Sequence, residues 1–395
     1  MNNSFRHKMD LSIRFMVSRK ELDIAAYLKE QLSVLDDILL GKPYLAVTFY
    51  VPGELLALFD VTALYMERIA GFGAANRICT SLETYRGMTG FPYYGCSYQL
   101  LFDYMINSGI LPKPYGFVAA SFACDDAWSY CRYASGKYGI PFYFMDVLNG
   151  CDVNSSEYLA AQLKELYTEL QSVFPQVLSV EEVVDASNKA ISSKSRIDEL
   201  RFKYPGIMNS TQAFKMFTIY NDLGRKEAVS VLNQTLEDLQ QKAVTYAYNN
   251  EPRVLWLGIL PLYKNSIIQE IEKKYKCRIV YEELYSFPHE QLSVKSFFND
   301  LAKRIEKNLF YTPEKRMEAI ISLIDKLEID GIIHFSQNNC RFLPPQVPLL
   351  QRKLSELGIP FVEVRGDAVE PECFNENQFF NYLDTFFEII CRGVK

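Results

Sequence analysis

Nine cysteines are the residues of this chain best suited to chemistry: Cys79, Cys96, Cys124, Cys131, Cys151, Cys277, Cys340, Cys373 and Cys391. The thiolate, not the thiol, is the nucleophile and the metal ligand. No Cys-x-x-Cys pair occurs, and no cysteine–histidine run has zinc-finger spacing. Any metal site must therefore be assembled from cysteines remote in sequence. Three stand where loops meet regular elements. Cys124 directly follows the apolar stretch GFVAASFA (116–123). Cys340 follows DGIIHFS (330–336) and closes the loop QNNC. Cys96 lies in GFPYYGCS (90–97), just ahead of the helical pattern SYQLLFDYMI. A helix N-terminus carries a positive field that lowers a thiol's pKa. These three are thus placed to hold a negatively charged metal–sulfur cluster. Taken singly, a loop cysteine is more often a small packed hydrophobe; three on one rim point to a site. Cys131 falls inside a helical pattern and reads as packing. Cys277 opens a strand, at the wrong end. Cys151 is within reach of the rim, and Cys79, Cys373 and Cys391 read as core or surface.

The rim exists only if the elements do. Residues 1–41 read as an N-terminal helical segment, with apolar residues at helical spacing in ELDIAAYLKEQLSVLDDILL. KPYLAVTFYV (42–51) reads as a buried strand. Pro52, Gly53 and Glu54 then open an apolar helix, LLALFDVTALYMERI. Strand GFVAASFA, helix CDDAWSYCRYASGKYG and strand IPFYFMDV continue the alternation. This gives a first α/β domain over 42–154. Residues 155–250 carry helical patterns with few strand signals and read as a helical connector. A second α/β domain, 251–395, alternates RVLWLGIL, CRIVYEE, DGIIHFS and IPFVEV with helices. The expected fold is α/β: two Rossmann-like parallel-sheet domains, the helical connector and the N-terminal segment. In open α/β sheets the ligand crevice lies beyond the carboxyl ends of the strands, which is where the three cysteines fall.

Composition narrows the class. With 395 residues at roughly 150 per domain, two or three domains are expected. Hydrophobic content of 49% and charged content of 23% exclude a disordered chain, a collagen or a coiled coil. Acids outnumber bases, 48 to 42, so nucleic acid and an anionic membrane surface are not expected partners. No apolar run reaches the roughly 20 residues of a membrane span, and no signal-peptide pattern opens the sequence. The expectation is a cytoplasmic protein whose thiols stay reduced. Aromatic content of 14% fits a large core or an aromatic-walled ligand cavity.

Several stretches resemble one family, the 2-hydroxyacyl-CoA dehydratases and benzoyl-CoA reductases. They are FYVPGELLAL (49–58), YYGCSYQLLFDY (93–104), VAASFACDDAW (118–128), VLWLGILPL (254–262), DGIIHFSQNNCR (330–341) and LGIPFVEVRGDAVEP (357–371). The resemblance implies a cluster bound by three cysteines from separated loops, here Cys96, Cys124 and Cys340. It implies a [4Fe-4S] cluster, or in related reductases a double-cubane [8Fe-9S] cluster. The implied activity is an oxygen-sensitive, anaerobic lyase reaction on an (R)-2-hydroxyacyl-CoA, giving the 2-enoyl-CoA. An ATP-dependent iron–sulfur activator protein would inject one electron. It would reach the thioester carbonyl, and the resulting ketyl radical would expel the 2-hydroxyl. A related second subunit, or a second copy in a homodimer, is the implied partner. Three alternatives stay open: a double-cubane or benzoyl-CoA-type reductase, a cluster-free structural subunit, and a thiol redox switch. The pattern departs from the family at Tyr98-Gln99, where an arginine is expected nearby, and at FNENQFFNYLDTFFEII, which lacks a Thr-Arg pair. Both departures bear on substrate identity.

Other residues on the rim have weaker claims. Glu54, in the family's Pro-x-Glu element, is a candidate for proton transfer or substrate orientation, and equally a carboxylate favoured by a helix N-terminus. Ser97 is a candidate hydrogen-bond donor to cluster or substrate, and equally a cap. Gly258 and Pro261 occupy a turn that could meet CoA phosphates. His334 reads as a core histidine and His289 as a loop residue. Lys42, Lys113 and Lys264 are candidate phosphate contacts or solvated surface.

Overall fold

The computed structural model describes residues 2–18, 22–79, 81–89, 95–148, 155–248, 250–264 and 266–393. Cys151 and the start of the loop before Cys96 lie outside them. Two helices open the chain, α1 (Asn2–Ser18) and α2 (Leu22–Leu39). The first sheet unit comprises β1 (Tyr44–Val47), α3 (Gly53–Ala57), β2 (Thr62–Tyr65), α4 (Met66–Ala75), α5 (Leu82–Arg86), α6 (Ser97–Asn107), β3 (Gly116–Ala120), α7 (Asp125–Tyr138) and β4 (Phe142–Met145). Four helices follow: α8 (Ser155–Gln171), α9 (Val180–Lys203), α10 (Ser210–Met216) and α11 (Lys226–Val244). The second sheet unit comprises β5 (Arg253–Gly258), α12 (Ile267–Tyr275), β6 (Arg278–Glu282), α13 (Phe297–Glu306), α14 (Pro313–Leu327), β7 (Gly331–Gln337), α15 (Val347–Glu356), β8 (Phe361–Gly366) and α16 (Glu376–Gly393).

The fold is α/β, with two four-stranded, all-parallel sheets of matching order: β2-β1-β3-β4 and β6-β5-β7-β8. Strands β1, β3 and β7 are buried along their whole length, as parallel strands covered on both faces must be. Side chains alternate between faces. Tyr44 and Ala46 of β1 join one core with α6 and α7, whereas Leu45 and Val47 join another with α8 and α13. The core under α6 and α7 continues through α9 and α11 to Leu255 and Ile332 of the second sheet, so the helical segment bridges both. The other face of the second sheet buries Trp256, Ile279 and Phe335 beneath α12 and α16.

Two local results differ from the expectations. LLALFDVTALYMERI is not one helix: α3 stops at Ala57, β2 takes Thr62–Tyr65, and α4 begins at Met66. Asp60 N–H bonds to Pro175 O and Phe59 bridges Gln176, which pulls the chain out of the helix. From the β-branched Thr62 onward the chain then pairs into the sheet edge beside β1. Secondly, Phe297, Leu301 and Ile305 of α13 lie in the core of the first sheet beside Leu159 and Leu163 of α8. Part of the chain between β6 and β7 thus crosses back onto the first unit.

Candidate functional site

Each sheet reverses its strand order between its two central strands, β1 and β3 in one and β5 and β7 in the other. Such switch points open crevices at the strands' carboxyl ends. Here the segments leaving all four strands line one cavity of about 320 Å³: Phe49 and Tyr50 after β1, Cys124 after β3, Leu260 after β5 and Cys340 after β7. Cys96 completes the set of thiols on this wall.

Cys96 and Cys124 are the N-caps of α6 and α7. Cys340 sits in the turn after β7, ahead of α15. Ala123 and Asn339, the residues just before Cys124 and Cys340, both take the left-handed conformation, at φ 65° and 59°. Asn tolerates this; Ala pays strain of roughly 1–2 kcal/mol. The bend turns the chain sharply at each strand end. Backbone N–H groups approach every sulfur: Tyr98 at Cys96, Ala127 at Cys124, Phe342 and Leu343 at Cys340.

Asp126 connects the three loops. It lies in the first turn of α7, two residues after Cys124. Its carboxylate accepts the Cys96 N–H at 2.5 Å and stands 3.7 Å from the guanidinium of Arg341, next to Cys340. Nothing in its sequence context marked it, because its partners are remote in the chain.

Burial opposes the acidifying field of the helix termini at these thiols. Burial pushes Cys96, Cys124 and Cys340 above the ordinary thiol range, outweighing the backbone N–H groups. Negative charge on Cys124 or Cys340 also raises Cys96, and charge on Cys340 raises Cys124. The three sulfurs are therefore within electrostatic reach of one another. Three thiolates together in this cavity require a positive group among them. Among the described residues, no three His, Cys, Asp or Glu side chains converge on a single metal ion. Thiols spread around a cavity suit a polynuclear group, in which each sulfur meets a different metal atom.

The remaining walls are mostly apolar. Phe49 stacks on Phe217 at 5.1 Å, and Tyr50 meets Phe122 edge-on at 4.8 Å. Phe214, Phe342 and Leu284 extend this lining. Glu67, Tyr98 and Gln99 are polar exceptions. Burial pushes the Glu67 carboxyl up to about 7, against the backbone N–H groups of Glu67 and Phe49. Sequence reasoning missed Glu67 because it lay inside the single expected helix; with β2 recognised, it falls just past a strand end. Both cations on the described lining are already engaged. Arg68 pairs with Asp222 at 2.5 Å, and Lys264 pairs with Glu376 at 2.6 Å and Glu270 at 3.1 Å.

Glu54 and Ser97 do not line this cavity. Glu54 is 2% exposed, accepts the Ser187 hydroxyl at 2.8 Å and pairs with Arg304. Gly53 lets α3 come this close, since a Cβ there would stand 2.0 Å from Asn221 O. Ser97 donates to Asp367 Oδ1 at 2.8 Å and accepts from Gln337 Nε2 at 3.0 Å. Pro261 and Lys264 line the cavity. The Gly258 N–H is already bonded to Glu283 Oε1 at 2.5 Å, so it offers no donor to a phosphate. His334 is a core histidine, 3.0 Å from Arg316 and from Ser336. His289 bonds Asp198, Lys42 pairs with Asp37, and Lys113 lies over the Tyr138 ring. Cys131 packs against Met66 Sδ at 3.9 Å and Cys277 is buried, while Cys373 and Cys391 are exposed.

Residues 48–390 match the family model described as 2-hydroxyglutaryl-CoA dehydratase, D-component. The chain is also similar to the (R)-2-hydroxyisocaproyl-CoA dehydratase alpha subunit of Clostridioides difficile. The two are 20% identical over 380 residues, covering 89% of this chain and 90% of the relative. Taken with the two matching parallel sheets and the shared cavity at their switch points, the match over most of its length shows that this chain belongs to the 2-hydroxyglutaryl-CoA dehydratase D-component family.

Proposed function

We propose that the chain is the iron–sulfur subunit of a 2-hydroxyacyl-CoA dehydratase, forming the 2-enoyl-CoA by one-electron chemistry. It works with a second subunit and an ATP-dependent iron–sulfur activator. One observation carries the reading. Cys96, Cys124 and Cys340, separated by 28 and 216 residues, line a single cavity beyond both switch points. When bound by three protein thiolates, a [4Fe-4S] cluster supplies one-electron reduction and one iron position open to a substrate oxygen.

The chain's own residues supply the rest. N–H groups of Tyr98, Ala127, Phe342 and Leu343 stabilise negative charge on the sulfurs, which tunes a cluster's potential. Asp126 ties the Cys96 loop to the first turn of the Cys124 helix. Phe49, Tyr50, Phe122 and Phe342 keep water from the reacting groups. Glu54 and Ser97 hold elements in place: Glu54 ties α3 to α9 and α13, and Ser97 ties α6 to the ends of β7 and β8. The eight described cysteines are all free thiols, as a reducing cytoplasm would keep them.

The test is anaerobic purification with iron and sulfide assay, followed by turnover. About four irons per chain are expected, against about eight for a double-cubane centre. Cys124→Ala should lose most of the iron. With an ATP-driven electron donor, at least one ester of a 2-hydroxyacyl-CoA panel should be dehydrated. Iron-free protein from anaerobic cells, or wild-type iron content in Cys124→Ala, would overturn the reading.

A further inference from the structure

Three residues that line the cavity each carry a buried polar atom without a hydrogen-bond partner: Glu67 Oε2, Tyr98 Oη and Gln99 Oε1. Buried polar atoms are nearly always satisfied in native interiors, and a cluster of orphans in one wall calls for an explanation. The two side chains already hold each other: Gln99 Nε2 donates to Glu67 Oε1 at 3.2 Å. That bond fixes the orientation of the Gln99 amide and leaves one oxygen on each residue without a hydrogen-bond partner. Glu67 comes from the first turn of α4 and Gln99 from the first turn of α6, and the helices pack on one another. The pair is thus built on rigid elements rather than on loops.

The rest of the described lining defines what such acceptors could meet. It is mostly aromatic and aliphatic, with uncharged polar side chains such as Thr48, Thr218 and Gln337 among them, and its cations Arg68 and Lys264 are neutralised by Asp222, Glu270 and Glu376. A ligand anion would find no free counter-charge among these residues and would face the Glu67 carboxyl. A hydroxyl on an apolar body would find acceptors for its proton and a dry surface for its chain.

We propose that Glu67 and Gln99 form a specificity station that hydrogen-bonds the hydroxyl of a ligand whose remaining acyl chain is apolar, and that disfavours a chain ending in a carboxylate. The assignment rests on the acyl-CoA reading above and deepens it. It makes the preferred substrate class a neutral aliphatic or aromatic 2-hydroxyacyl-CoA. Tyr98, on the same lining, also has an unpartnered hydroxyl.

Equilibrium binding to the full-length, anaerobically purified chain tests it. The probes are 2-hydroxyisocaproyl-CoA, isocaproyl-CoA without the hydroxyl, and 2-hydroxyglutaryl-CoA. Wild type should bind the first at least about tenfold more tightly than either of the others. Glu67→Leu and Gln99→Leu should bring the preference for the hydroxylated ester to about one. Gln99→Glu, which keeps the size and the acceptor, serves as the second probe of the site and should retain part of the preference. Equal wild-type affinity for the esters with and without the hydroxyl, or a preference unchanged in both leucine variants, overturns the station alone. Tighter wild-type binding of 2-hydroxyglutaryl-CoA overturns the apolar-chain assignment. Binding of none of the three esters overturns the acyl-CoA reading, and the station with it.

Discussion

Asp126 shows how one carboxylate can organise a site without reacting. It accepts a buried N–H from the Cys96 loop, belongs to the Cys124 helix and faces Arg341 beside Cys340. The Arg341 contact is long and its side chain is 58% exposed, so it adds little. The Cys96 bond matters more, since losing it strands a buried donor at a cost of about 1–3 kcal/mol. Asp126→Ala should lower the melting temperature and speed loss of iron to a chelator, with little change at Asp125→Ala. Equal iron retention in the two variants would remove Asp126 from this role. Glu67 makes a second prediction at this scale. Its folded pKa of about 7 lies above the ordinary 4.5, so the folded chain binds the extra proton between those values. Stability from this group is therefore present at low pH and is lost as pH rises through about 7, by up to about 3 kcal/mol. Glu67→Gln should flatten that part of the pH dependence, as read by denaturant melts from pH 5 to pH 8. An unchanged slope would show that the carboxyl is not held in this environment.

Single elements are held by buried charges more than by their intrinsic propensities. The five-residue helix α3 is too short to be stable alone. Glu54 fastens it to Ser187 of α9 and Arg304 of α13, all buried. Removing one partner leaves an uncompensated charge, at about 3–5 kcal/mol. Arg304→Ala should therefore destabilise strongly, and Glu54→Leu combined with Arg304→Met should recover most of the loss in urea melts. If the double variant is as unstable as the single one, the pair does more than neutralise itself. Gly258 is a second element-scale constraint. It ends β5 at φ 79°, and a Cβ there would stand 2.3 Å from Phe335 O of the neighbouring β7. Gly258→Ala should push the two central strands apart, lowering the melting temperature and releasing iron together. A variant with wild-type melting would show that β5 and β7 can adjust.

At the scale of the whole molecule, two sheets with the same strand order present their switch points to one cavity. Among the described residues no helix is long and apolar enough to cross a membrane. Triple replacement of Cys79, Cys373 and Cys391 by Ser should leave iron content unchanged, because none of the three lines the cavity. Loss of iron in that variant would mean that the proposed cluster draws on other thiols. Much of this architecture was legible in the chain. Runs such as GFVAA and GIIHF are mostly apolar because central parallel strands are covered on both faces, and that pattern is local. The cysteines after them could be assigned to a rim for the same reason. What failed was anything set by remote partners. β2 was hidden in a helical periodicity until Phe59 and Asp60 met Gln176 and Pro175. Glu54 could be read as a candidate acid or as a helix-terminal carboxylate, and its partner Arg304, 250 positions away, could not be read at all. The thiols looked acidic because a helix field can be read from sequence, whereas burial cannot. Sequence by itself determined the alternation of strands and helices and the short list of sulfurs, since both follow from neighbours along the chain. Only the tertiary structure decided which side chains share a cavity, which charges are already paired and which polar atoms are left open, because those depend on groups brought together across hundreds of residues.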